Sequence, residues 1–140
     1  MTASHYLQAL AAVPLFAGCS NDELELIARL ADEVRVGPGE QIVEEGKSGH
    51  EAYVVLEGSV SVERNGKQIA ALGVGEPFGE LALLDGGPRT ATVVALEPTL
   101  LLVIGRREFL GLLDEVPGLS RRLLANLAGR IRELDSRTFG

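Results

Sequence analysis

A chain of 140 residues, 46% hydrophobic and 24% charged, is long enough to bury a core without disulfides or a metal and fits one domain, 1–140. The net charge of −7 is lopsided: residues 1–105 hold 6 basic and 15 acidic side chains, whereas residues 106–140 hold 7 arginines and 5 acids. Such an acidic body excludes the basic surface of a non-specific nucleic-acid binder, and no apolar run reaches the ~18–20 residues of a membrane span.

In chain order, "SHYLQALAAVPLFAGCS" predicts a short amphipathic helix stopped near Pro14. Its "LFAGCS" imitates a lipoprotein cleavage box, but no Lys or Arg precedes Arg29, so a signal peptide's basic start is missing. Cys19 is the one cysteine and reads as a structural thiol, and a reducing cytoplasm is the expected location. "SNDELELIARLADE" is a second helix: Ser20 and Asn21 offer caps, acids fill the first turn, and Leu24, Ile27, Ala28 and Ala31 share a face. These two helices are assigned to residues 1–33.

From Val34 the hydrophobic period changes to two. "EVRV", "EQIVEEG", "AYVVLEG", "SVSVERNGKQIAALG" and "TATVVALEPTLLLVI" are short strands punctuated by Gly, Pro and Asn. Asn65-Gly66 supplies the two positive-φ positions of a type I′ hairpin turn. Residues 34–104 are therefore an antiparallel β-structure, interrupted once by "GELALLD", which has helix formers in place of alternation. After Gly105 the helical period returns in "RREFLGLLDEV" and in "PGLSRRLLANLAGRIRELDS", where Leu119, Leu123, Leu127, Ile131 and Leu134 form one stripe. The fold class is mainly β with flanking helices.

The stretch "FGELALLDGGPRTATV", residues 78–93, keeps one carboxylate and, nine residues on, one guanidinium. Gly79 permits a sharp turn and close approach of a ligand. The short helix it opens presents the amides of Glu80, Leu81 and Ala82 to an anion. Arg89 can grip a phosphate through two hydrogen bonds, while ionised Glu80 can only accept, as a sugar hydroxyl requires. Either residue alone fits a helix-start acid or an ion pair; together they describe a site for a small ribose phosphate.

This stretch resembles the phosphate-binding cassette of the cyclic nucleotide-binding domain family, which includes regulatory subunits of cyclic AMP-dependent protein kinase, cyclic nucleotide-gated channels and the bacterial catabolite activator protein. Gly39, Gly46, Gly49 and Gly58 also line up, and the resemblance spans residues 14–135. It implies a jelly-roll-like β-roll (a double-stranded β-helix) with N-terminal helices, a short phosphate-binding helix in the cassette, and C-terminal hinge and lid helices over 106–135. It further implies that Arg89 binds the cyclic phosphate and Glu80 the ribose 2′-hydroxyl. The backbones of Gly79, Leu81, Ala82 and Ala91 would complete the contacts. Thr90 leaves the base open between cyclic AMP and cyclic GMP, with cyclic AMP favoured. His50 stands where the family usually shows an acid.

By the same resemblance the last helices move on binding, about a hinge near Gly105, and Leu123, Leu124, Leu127, Arg130 and Ile131 are lid candidates. Each of these apolar side chains also suits a plain core position. The sequence ends at Gly140 with no helix-turn-helix or kinase segment, so signalling through a protein effector is expected, and the last helix suits a homodimer. No catalytic residue, cofactor or metal is expected: His5 and His50 stand 45 residues apart, with no clustered carboxylate. The alternative reading is an interaction module that keeps the fold and has lost the ligand.

Overall fold

The computed structural model describes residues 7, 8, 10–13, 16–79 and 86–139, with side chains to 132 save those of 126 and 130. Residues 7, 8, 10 and 11 are helical and lead into helix α1, Asn21–Leu30. Ser20 caps α1: its hydroxyl accepts from the Glu23 amide at 3.1 Å, and the Glu23 carboxylate accepts from the Ser20 amide at 2.8 Å. Such a reciprocal box satisfies two otherwise unpaired donors of the first turn.

Among the described residues eight strands follow: β1 (Asp32–Val36), β2 (Gln41–Val43), β3 (Glu51–Glu57), β4 (Val60–Arg64), β5 (Lys67–Leu72), β6 (Pro77–Phe78), β7 (Thr92–Ala95) and β8 (Thr99–Gly105). They form two antiparallel four-stranded sheets, ordered β1-β8-β3-β6 and β2-β7-β4-β5. Helices α2 (Arg106–Glu115) and α3 (Leu119–Phe139) complete the chain. This is the mainly β architecture with flanking helices expected from the sequence.

The roll begins at Asp32, two residues earlier than the change of period placed it. Ala31 is already extended (φ −105°, ψ 154°), and Asp32 pairs with Val103. Asp32 to Arg35 are all exposed on this edge strand, so no alternation marked its start. The hairpin at Asn65-Gly66 has φ values of 54° and 77°, with Arg64 opposite Lys67, as the dipeptide required. "TATVVALEPTLLLVI" breaks into β7 and β8 at the irregular residues 96–98.

Strand β8 reads as an unbroken apolar run because it is buried on both faces. Leu100, Leu102 and Ile104 pack outward, with Leu24, Ile27, Phe109, Leu112 and Leu119 of the helices. Leu101 and Val103 pack into the roll with Val36, Val55, Val60, Phe78 and Val93. At ~1.5–3 kcal/mol per fully buried large aliphatic side chain, this strand fastens the helical layer to the roll. Among the described residues no helix is long and apolar enough to cross a membrane.

Candidate functional site

Among the described residues Arg89 is the one charged side chain in the buried set, only 7% exposed. A buried cation is costly unless its N–H groups find acceptors. Here Nη1 donates to the Gly79 carbonyl at 3.0 Å and Nη2 to the Glu51 carbonyl at 2.9 Å. The guanidinium carbon stands 5.8 Å from the centre of the Tyr53 ring, which is stacked on Phe78 at 4.9 Å and 11°. A cation over an aromatic face gains from the ring's quadrupole.

Two glycines make room for this arrangement. Gly79 has φ 84°, and a Cβ there would stand 2.7 Å from Nη1 of Arg89. A Cβ on Gly49 would overlap Nε and Cζ of Arg89 and lie 2.8 Å from Nη2. Any larger residue at either place displaces the guanidinium.

The backbone around Arg89 is held from two sides. Its amide donates to the Lys47 carbonyl at 2.8 Å, and its carbonyl accepts from the Gly46 amide at 2.9 Å. Ser48 and Pro88 form a β-bridge, and the Thr92 hydroxyl accepts from the Glu45 amide at 3.0 Å. On the other flank, Nε of Arg64 donates to the Thr90 carbonyl at 3.0 Å. Arg89 is thus clamped between the 44–49 loop and β4.

The electrostatics follow from these contacts. Among the described residues its acceptors are neutral carbonyls, which do not themselves neutralise the positive charge of Arg89. Two of the five N–H donors of the guanidinium are spent on them. Burial, reinforced by the Glu51 carboxylate, pushes the Tyr53 phenol above its ordinary value, while the Arg89 cation opposes this. The Tyr53 hydroxyl donates to Oε1 of Glu51 at 3.4 Å. This corner can receive an anion through a fixed, preorganised guanidinium.

The structure places the sequence-based candidates as follows. Gly79 and Arg89 are in contact, Ala91 is buried, and Thr90 is exposed next to them. Glu80, Leu81 and Ala82, and with them the short cassette helix, lie outside the described residues. Of the lid candidates, Leu123 is buried in the helical core at 6% exposure and Leu127 packs partly against it. Leu124 and Ile131 are exposed at 66% and 59%, and the Arg130 side chain lies outside the described set. Sequence reading missed Glu51, which contributes a main-chain carbonyl that any residue type supplies. It also missed the steric role of Gly49 and the aromatic floor of Tyr53, whose only signal was its inward place in the alternation of β3.

Comparison with known proteins agrees with this geometry. The family described as "Cyclic nucleotide-binding domain" matches residues 33–116. The cyclic AMP receptor protein of Thermus thermophilus is 37% identical over 127 residues, 87% of this chain and 59% of that protein. A cGMP-dependent protein kinase of Eimeria tenella is 38% identical over 111 residues, 79% of this chain and 11% of the kinase. The crystal structure of the Thermus thermophilus catabolite activator protein superimposes with a TM-score of 0.83 at 36% identity, over 89% of this chain and 61% of that one. The chain therefore spans about three fifths of the first relative and a small part of the second. With the cassette arginine, its glycines and the two-sheet roll all in place, the chain belongs to the cyclic nucleotide-binding domain family.

Proposed function

We propose that this chain is a cyclic nucleotide sensor that binds a 3′,5′-cyclic nucleotide, cyclic AMP in preference to cyclic GMP, and signals to a protein partner by moving α2 and α3. The observation that carries this reading is the buried Arg89 guanidinium, fixed by two main-chain carbonyls that take two of its five N–H donors. Arg89 grips the cyclic phosphate, and Glu80 accepts from the ribose 2′-hydroxyl. The amides of Gly79, Leu81, Ala82 and Ala91 complete the cradle. Membership of the family supports the ligand class.

The same reading makes the chain a cytoplasmic regulator without catalytic activity, cofactor or nucleic-acid contact of its own. The exposed Leu124 and Ile131, one heptad apart, suit pairing with a second copy or cover for the base. Displacement of a fluorescent cyclic AMP analogue by unlabelled cyclic AMP and cyclic GMP tests the preference. Displacement by cyclic AMP at the lower concentration supports it; displacement by cyclic GMP at the lower concentration reverses the base assignment.

A further inference from the structure

We infer that Arg64, the last residue of β4, is a positioning residue for nucleotide binding, whose side chain aims the main-chain amide of Ala91 at the ligand. This rests on the sensor reading above. The β4–β7 ladder ends at the pair of Glu63 and Thr92, short of Thr90 and Ala91 where the cassette runs into β7. Arg64 carries the connection further with its side chain, Nε donating to the Thr90 carbonyl at 3.0 Å.

A peptide unit is planar, and in its trans form the C=O and the following N–H point in opposite directions. No cis peptide bond occurs among the described residues. The hydrogen bond that holds the Thr90 carbonyl therefore also sets the direction of the Ala91 N–H, the other end of the same unit. Arg64 takes the carbonyl from the exposed side, and Ala91 is only 8% exposed, so the N–H is directed to the buried side. That N–H is one of the donors given to the nucleotide in the sensor reading.

The preceding peptide unit is fixed differently. The Arg89 carbonyl accepts from the Gly46 amide at 2.9 Å, a main-chain bond that any residue type can make. At Thr90 the same task falls to a side chain, so residue identity matters there. The base of that side chain is anchored. Arg64 is the register partner of Lys67 across the Asn65-Gly66 turn, and the Asn65 amide donates to Oε1 of Glu45 at 3.2 Å. The Glu45 amide in turn donates to the Thr92 hydroxyl at 3.0 Å. The hairpin tip is thus tied to the strand that leaves the cassette, and the Arg64 stem spans the gap to Thr90. A donor held in place beforehand removes its ordering cost from the binding step and raises affinity.

A cation near an anionic ligand would also raise affinity through its charge alone, and substitutions separate the two effects. Arg64→Gln keeps an N–H at the same place along the side chain and removes the charge. Arg64→Lys keeps the charge and moves the donor one atom outward. Arg64→Met keeps the length and has neither.

The test uses the full chain, with affinity for cyclic AMP and cyclic GMP by calorimetry, order of the Ala91 amide in ligand-free protein by NMR relaxation, and stability in urea. Arg64→Met should bind about threefold to tenfold more weakly, the fold-change of one net hydrogen bond, with a less ordered Ala91 amide. Its urea midpoint should stay parental, because the side chain is exposed. Arg64→Gln should recover affinity and order, and Arg64→Lys neither. If Arg64→Met does not fold, Arg64→Ala carries the same expectation. Parental affinity or parental amide order in the folded Arg64→Met protein overturns the proposal. Recovery by Arg64→Lys and not by Arg64→Gln assigns the effect to charge and overturns it, and a lowered urea midpoint in Arg64→Met makes the residue structural and overturns it as well. Each of these leaves the ligand assignment standing. Absence of binding of either cyclic nucleotide by the parent chain overturns the sensor reading, and the proposal falls with it.

Discussion

Gly49→Ala places one methyl group where Nε and Cζ of Arg89 now stand. The guanidinium cannot yield locally, because it is buried and bonded to the Glu51 and Gly79 carbonyls. It must leave, and both bonds are lost. Hydrogen bonds to a charged group are worth about 1.5–3 kcal/mol each, so the pair contributes about 3 kcal/mol at the low end. Alanine returns about 0.4–1 kcal/mol by restricting the unfolded chain, since Gly49 needs no positive φ. The net expectation is a stability loss of about 2 kcal/mol or more, read as a lower urea midpoint at unchanged slope. Nucleotide affinity should fall by about tenfold or more, because the phosphate loses its preorganised partner. Gly37→Ala is the matched control: a Cβ there meets nothing within 4 Å and Gly37 needs no positive φ, so stability should rise by about 0.4–1 kcal/mol and affinity should not change. A Gly49→Ala protein with parental urea midpoint and parental affinity would refute the packing argument.

Other outcomes follow from the same structure. Arg89→Lys keeps the charge and loses the fork, so calorimetric affinity for cyclic AMP should weaken by about 1.5 kcal/mol or more; unchanged affinity would remove Arg89 from the phosphate. Ser20→Ala breaks the capping box of α1 and should cost about 1 kcal/mol by urea unfolding, with no effect on nucleotide affinity. Tyr53 has a folded pKa above its ordinary 10.0, chiefly through burial, so the folded state holds the phenol proton more tightly than the unfolded chain. Its contribution is fully present below the unfolded value and is lost as the pH rises through the folded one. Alkaline unfolding should therefore be less steep in Tyr53→Phe than in the parent, and equal steepness would assign the alkaline loss to other groups.

Much of this architecture was legible because local signals agreed with the fold. Ser20 and Glu23 sit three residues apart before an apolar stripe, and they form the capping box. Asn65-Gly66 dictated a hairpin, and the run in β8 announced burial on both faces. The start of β1 was not legible, since an exposed edge strand such as Asp32–Arg35 carries no alternation. Arg89 stood out as a lone guanidinium in an apolar segment. What holds it was not readable, because carbonyls at Gly79 and Glu51 leave no trace in side-chain identity. Leu123 and Ile131 share one stripe in sequence, yet packing divides them, with Leu123 in the core and Ile131 on the surface. That division depends on where α2 and α3 cross the roll, which periodicity does not encode.

The most direct test of the central claim is a calorimetric titration of the folded chain with cyclic AMP, then cyclic GMP, with 5′-AMP as control. The sensor reading predicts saturable binding of a cyclic nucleotide at about micromolar or tighter dissociation constant, no comparable heat from 5′-AMP, and loss of that binding in Arg89→Ala. Absence of heat with either cyclic nucleotide, from protein shown to be folded, would contradict it and leave the roll as a scaffold whose surface helices carry the function.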